Sequence, residues 1–136
     1  MKTYFLLFLS VICFTACSSD NDDSPMDTTD DDVMESTYSG TFVSVAHPTE
    51  GTAFVNEDKT TLKLSNFKSD DGPLLELYLT TDETAKEFIT LGGLKGLDGN
   101  YEYTLPENVD LSIYKYVMVW CVDFDVNFGH AILKMD

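Results

Sequence analysis

One thiol beyond the N-terminal segment and two imidazoles bound the chemistry open to this chain. Cys121, His47 and His130 carry the side chains suited to nucleophilic, redox or ligating work, and the chain has no other histidine. Cys121 lies in the stretch 114–133, YKYVMVWCVDFDVNFGHAIL, which also holds the single tryptophan, Trp120, and is the longest apolar run outside the N-terminus. Read as a regular strand, its period of two places Tyr116, Met118, Trp120, Val122, Phe124, Val126 and Phe128 on one apolar face, the expected core face. The opposite face runs through Val117, Val119 and Cys121 and then turns polar at Asp123, Asp125 and Asn127. Cys121 is thereby expected at a seam between a dry half and a wet half. A thiol at such a seam can react, whereas most free cysteines are small buried hydrophobes, and both readings stand.

A thiol reacts as its thiolate, which a nearby cation favours and apolar burial disfavours. No cation adjoins Cys121, the nearest in sequence being Lys115, so activation has to come across a sheet from His47 or His130. A Cys/His nucleophile would also need a group to orient the base, and nothing in the sequence brings these parts together. His47 reads equally as a turn residue before Pro48, and His130 as a hydrogen-bonded histidine at a strand start after Gly129. Other motifs fail on their spacing. Asp123, Asp125 and Asn127 open like a calcium-binding loop, but Phe128 stands in its glycine position and Lys134 in that of its bidentate glutamate. One domain cysteine and two scattered histidines show no close zinc-ligand pairs. GGLKGLDGN, at 92–100, lacks both phosphate-loop spacings and no long helix follows it.

The elements that must position these residues read as strands. From residue 36 onward, short apolar runs alternate with turn residues at intervals of about ten, as in all-β sandwiches and barrels. TFVSVAH, TAFVN, TTLKLSNF, LLELYLT, FITL and YEYTL precede the long stretch 114–133. Leu62 and Leu64 face away from Lys63, and Leu75, Leu77 and Leu79 face away from Leu74, Glu76 and Tyr78. TDETAKE, at 81–87, has the composition for one helical turn, capped by Thr81 or Asp82. The expectation is one antiparallel β-sandwich or barrel-like domain of about eight short strands, spanning 36–136.

Charge and targeting narrow the setting. The 136 residues, 43% hydrophobic, suffice for one core. The net charge is −16 and all eight cations are lysines, which speaks against nucleic-acid binding, where arginine forks and basic patches are needed. Lys2 and the apolar run 4–14 form an export signal too short to span a bilayer. It ends in FTAC, which resembles a bacterial lipobox, with Phe14 where an aliphatic residue is usual. The expected signal peptide is 1–16, with lipidation at Cys17 as the membrane anchor. Residues 17–35 form an acidic tether, with eight acids and no cation in 18–35. Acid and serine directly after the lipidated cysteine resemble the export signals of Bacteroidetes surface lipoproteins, so the expected location is the outer membrane, surface-exposed or periplasmic. With Cys13 and Cys17 in the targeting segment, Cys121 has no intrachain disulfide partner in the mature domain.

In order, GTFVSVAHPTEGTAFV, LKLSNF, GPLLELYLT, LGGLKGLDGNYEYTLP, VDLSIYKYVMVWC and FDVNFGHAIL resemble the DM-thirteen domain family across nearly the whole folded part. The resemblance implies an extracytoplasmic, β-rich electron-transfer module. It also implies that the cysteine of the VWC segment, here Cys121, acts as a naked thiol or holds a prosthetic group such as haem. Cys121, His47, His130, Met118 and Met135 are chemically eligible axial ligands. Without a CxxCH segment any haem would be held non-covalently. The expected partner is a redox protein, its identity open. The alternative is a non-catalytic binding or adhesion module that uses loops such as 91–100.

Overall fold

The computed structural model describes residues 36–136, and the expected signal peptide, the Cys17 anchor and the acidic tether lie outside the described residues. Nine strands follow in chain order: β1 (Ser36–Ser44), β2 (Thr49–Asn56), β3 (Thr61–Ser69), β4 (Leu75–Thr80), β5 (Phe88–Gly93), β6 (Asp98–Thr104), β7 (Tyr116–Cys121), β8 (Val126–Ile132) and β9 (Lys134–Met135). Every pairing is antiparallel, in the order β5-β4-β7-β8-β1-β2-β3-β6, with β9 on β1. The all-β, barrel-like architecture is as expected. Residues 81–87 form turns and bends rather than a helical turn.

β1 joins two layers. Its first part pairs with β2 and β9, and its last three residues, Phe42, Val43 and Ser44, pair with β8. Gly40 sits at the changeover. A Cβ there would collide with the backbone carbonyl of Ile132, so only glycine lets the strands approach so closely. Beyond the changeover, layer one is β9-β1-β2-β3-β6 and layer two is β5-β4-β7-β8-β1. Their inner faces meet in one core, with Ala53, Val55, Leu62 and Leu64 from the first layer against Leu77, Leu79, Val117 and Val119 from the second, all without exposed surface. The alternation read from β3 and β4 is the alternation observed.

The stretch 114–133 is not one strand but the β7–β8 hairpin. Asp123 and Asp125 bracket its turn, and Asp125 adopts φ 52°, a left-handed conformation that aspartate tolerates better than most residues. The reversal overturns the expected core face. Val117, Val119 and Cys121 point inward, while Tyr116, Met118 and Trp120 point outward. Phe124, expected in the core, is 70% exposed at the turn. Hydrophobicity alone could not choose between the faces, because both are apolar along β7. The choice falls to which face meets layer one.

Candidate functional site

Cys121 ends β7, paired with Leu75 on one side and Val126 on the other. Its side chain has no exposed surface and belongs to the core cluster with Leu75, Val119 and Phe128. The wet half of the expected seam lies in the turn beyond it, so the thiol is surrounded by apolar groups rather than poised at a boundary.

His130 stands on the other side of the same sheet. It pairs with Met118, an outward residue of β7, and with Val43 of β1. Its ring is 5% exposed, with the Tyr116 ring at 5.1 Å, edge to face. The Asn127 Nδ2 amide donates to His130 Nδ1 at 3.1 Å, which makes Nδ1 the acceptor and places the proton of the neutral ring on Nε2. Burial pushes the His130 imidazole below its ordinary value, and the Glu83 carboxylate opposes part of that shift. The same Nδ2 approaches the Glu83 carbonyl at 3.5 Å, tying the loop 81–87 onto this face. Asn127 Oδ1 is buried without a hydrogen-bond partner among the described residues.

Strand periodicity alone gives no warning of this pair, because residues three apart on a regular strand face opposite ways. A β-bulge brings them together. Val119 pairs with Gly129 but Trp120 with Asn127, so Phe128 is the extra residue and Asn127 joins His130 on the outer face. Gly129 is also forced, since a Cβ there would run into the Thr49 side chain.

His47 occupies a third place. The segment after β1 is pinned to β8 by Val45 and His47 amides that both donate to the Phe128 carbonyl, at 2.8 and 3.1 Å. The His47 ring lies 3.9 Å from the Phe128 ring and its Nδ1 is 3.1 Å from Asp70 Oδ2. Both partners of that pair are largely solvated, where such contacts contribute little to stability.

The three predicted residues therefore do not converge: Cys121 is inside, His130 is on the outer face, and His47 is in a loop. No hydrogen bond joins the thiol to either imidazole among the described residues. Of the other eligible ligands, Met118 is fully buried on the outer face and Met135 is exposed on β9. A haem held by thiolate would need open space beside Cys121, and a side chain in a close-packed core with no exposed surface does not fit that role. Among the described residues no group of three or more His, Cys, Asp or Glu side chains is placed to hold a metal ion. A groove of about 510 Å³ runs along the outer seam of β1 with β8 and β9, lined by Thr41, Val43, His130, Ile132 and Lys134 among others. His130 reaches it, and Cys121 does not.

Searches of characterised proteins and of solved structures returned no match. A family model described as Electron transfer DM13 matches residues 41–133, from the middle of β1 to the end of β8, and so takes in Cys121, His47 and His130. That match spans more than half of the chain and nearly all of the described residues, and the protein belongs to the DM13 electron-transfer family.

Proposed function

We propose that this protein is a cell-envelope lipoprotein, anchored to the outer membrane through lipid on Cys17, whose β domain passes electrons with Cys121 as its redox thiol. The family match over 41–133 carries this reading. The FTAC segment and the acidic tether support the anchor and a domain held away from the membrane surface, facing either the periplasm or the exterior.

Cys121 sits one residue before the turn of the β7–β8 hairpin, whose residues Asp123, Phe124 and Asp125 are exposed. Opening of that hairpin end would deliver the thiol to a partner, while the closed form protects it from adventitious oxidation. This geometry supports gated thiol redox rather than haem chemistry.

A thiol reagent should label Cys121 slowly in native buffer, at a rate set by local opening, and rapidly after unfolding. Cys121→Ala should abolish electron exchange with the envelope partner, and undiminished exchange in that variant would remove the thiol from the mechanism. For the anchor, Cys17→Ala should move the protein from the membrane fraction to the soluble one.

A second reading, a non-catalytic binding or adhesion module, draws on the sealed thiol and on exposed Val43, Val45 and Phe88. A partner recovered from envelope extracts equally well by wild type and Cys121→Ala would favour it.

A further inference from the structure

The outer face of layer two carries Tyr78, Tyr116, Met118, Trp120 and His130. Three rows cross it in register. Phe88, Thr80, Tyr116 and Ile132 form the first, Thr90, Tyr78, Met118 and His130 the second, and Gly93, Glu76, Trp120 and Asn127 the third. Between these rows Phe88 and Tyr78 stack at 4.3 Å with their planes 8° apart, and Tyr78 and Trp120 follow at 6.0 Å and 18°. Three nearly parallel rings thus run from β5, the end of the sheet, to β7 at its centre. The inner side of β7 offers only the valines and Cys121, saturated neighbours that couple poorly to one another. Electronic coupling falls off steeply with the gap between groups, and rings in contact leave almost none.

We infer that this face is a one-electron relay in which Trp120 is the port and Tyr78 the group that fills it, serving a cationic partner with an oxidised metal centre. The inference rests on the electron-transfer reading of the domain, but not on Cys121. In the first step the oxidised metal centre takes one electron from the Trp120 indole, leaving the indole radical cation. Tyr78 then gives one electron to the indole, and its phenolic proton passes to water. A reduced one-electron donor returns an electron to the Tyr78 phenoxyl, which recovers a proton from water. Each cycle moves one electron from donor to oxidised partner.

The surroundings suit both ends of that cycle. Burial first, then the Glu76 and Asp125 carboxylates, push the Tyr78 phenol above its ordinary value, so it holds its proton at rest. The same carboxylates stabilise positive charge on an oxidised ring. Glu76 is held in place by a 2.8 Å hydrogen bond from Thr90 Oγ1. With a net charge of −16 and no arginine, the chain attracts a cationic partner and repels an anionic one.

Photo-oxidation of the full chain with tris(bipyridine)ruthenium(III), generated by flash and quench, tests the relay. In wild type the transient spectrum should show an indole radical that decays into a tyrosyl radical, with a bimolecular rate that falls as salt is added. Trp120→Phe should slow reduction of the ruthenium complex tenfold or more. Tyr78→Phe should leave the indole radical long-lived and remove most of the tyrosyl signal. Both variants keep an apolar ring, and their unfolding midpoints check that the fold survives. Unchanged kinetics in both folded variants would overturn the relay. Cys121→Ala separates this result from the thiol reading: unchanged radical transfer supports the relay whether or not the thiol works, while loss of transfer in Cys121→Ala alone would overturn the relay and leave the thiol standing.

Discussion

The two faces of β7 differ in burial and in kind, the inner one sealed and the outer one buried at Met118 but partly exposed at Tyr116 and Trp120. Inward, Val117, Val119 and Cys121 have no exposed surface because layer one covers them. Outward, Met118 also has no exposed surface, though it lies outside the main core cluster. Here the loop 81–87 is bound onto the face, through Asn127 Nδ2 on the Glu83 carbonyl and the Thr80 hydroxyl donating to the Asp82 carbonyl at 2.6 Å. The inner face is chemically uniform, and its only reactive atom is a sulfur without a polar neighbour. The outer face holds an imidazole bonded to the Asn127 amide and, beside them in the sheet, a phenol stacked on an indole. Burial by itself does not mark a site; what shares the burial does. Buried polar groups in low dielectric interact strongly, so their arrangement constrains a face more than apolar packing does.

Truncation tests whether the outer face is truly packed. Leu77→Ala, on the inner face of β4, should cost about 2–5 kcal/mol by equilibrium denaturation, through lost burial and the cavity left behind. Met118→Ala should fall in the same range, about 2–5 kcal/mol, if the outer face is a second packed layer. A cost within about 0.5 kcal/mol, typical of surface substitutions, would break the comparison.

The thiol gives a smaller effect with a sharper sign. Cys121→Ser places a hydroxyl in the core beside apolar neighbours that cannot accept its hydrogen bond, at a cost of about 1–3 kcal/mol. Cys121→Ala introduces no polar atom and should be the milder change. Equal stability of the two variants, together with native-state labelling as fast as that of a free thiol, would show that the inner face is wet at Cys121.

The strand-rich fold was legible because period two shows plainly where one face is polar. Lys63 between Leu62 and Leu64, and Glu76 between Leu75 and Leu77, settle which side is which. Along β7, Tyr116 to Cys121 is apolar on both sides and only tertiary packing chooses. The turn at 122–125 leaves no mark in the pattern, because Val122 and Phe124 continue the alternation across a chain reversal. Of the site, the residues were named but their grouping was not. Cys121, His47 and His130 are widely spaced in sequence, and topology puts them on an inner face, in a loop and on an outer face. Asn127 reads as sharing the face of Cys121, because no local pattern shows the bulge that moves it beside His130. The pairing of Tyr78 with Trp120 is long-range, set by the β4–β7 register that no local pattern encodes.

The smallest effect expected is a pH dependence confined to the outer face. His130 is held neutral in the folded chain, its value below the ordinary 6.5 because burial disfavours the charged ring, while Glu83 only partly offsets that. The unfolded chain therefore binds more protons than the folded one between the lowered value and 6.5, and stability rises with pH across that window. As pH falls from about 6.5 through the folded value, His130 should withdraw stability at no more than about 1.4 kcal/mol per pH unit, the limit for one proton. Protonation also turns Nδ1 from acceptor to donor, so the Asn127 Nδ2 bond is lost. An amide flip would then aim the unpaired Oδ1 at the imidazolium while withdrawing Nδ2 from the Glu83 carbonyl. His130→Gln supplies an amide oxygen that can accept from Asn127 but does not titrate, so its stability curve should run flatter than wild type just below pH 6.5. The two should converge above it, apart from a constant offset. Parallel curves for wild type and His130→Gln across that window would mean that the imidazole is solvated, and that the outer face is not the dry, polar counterpart of the inner one.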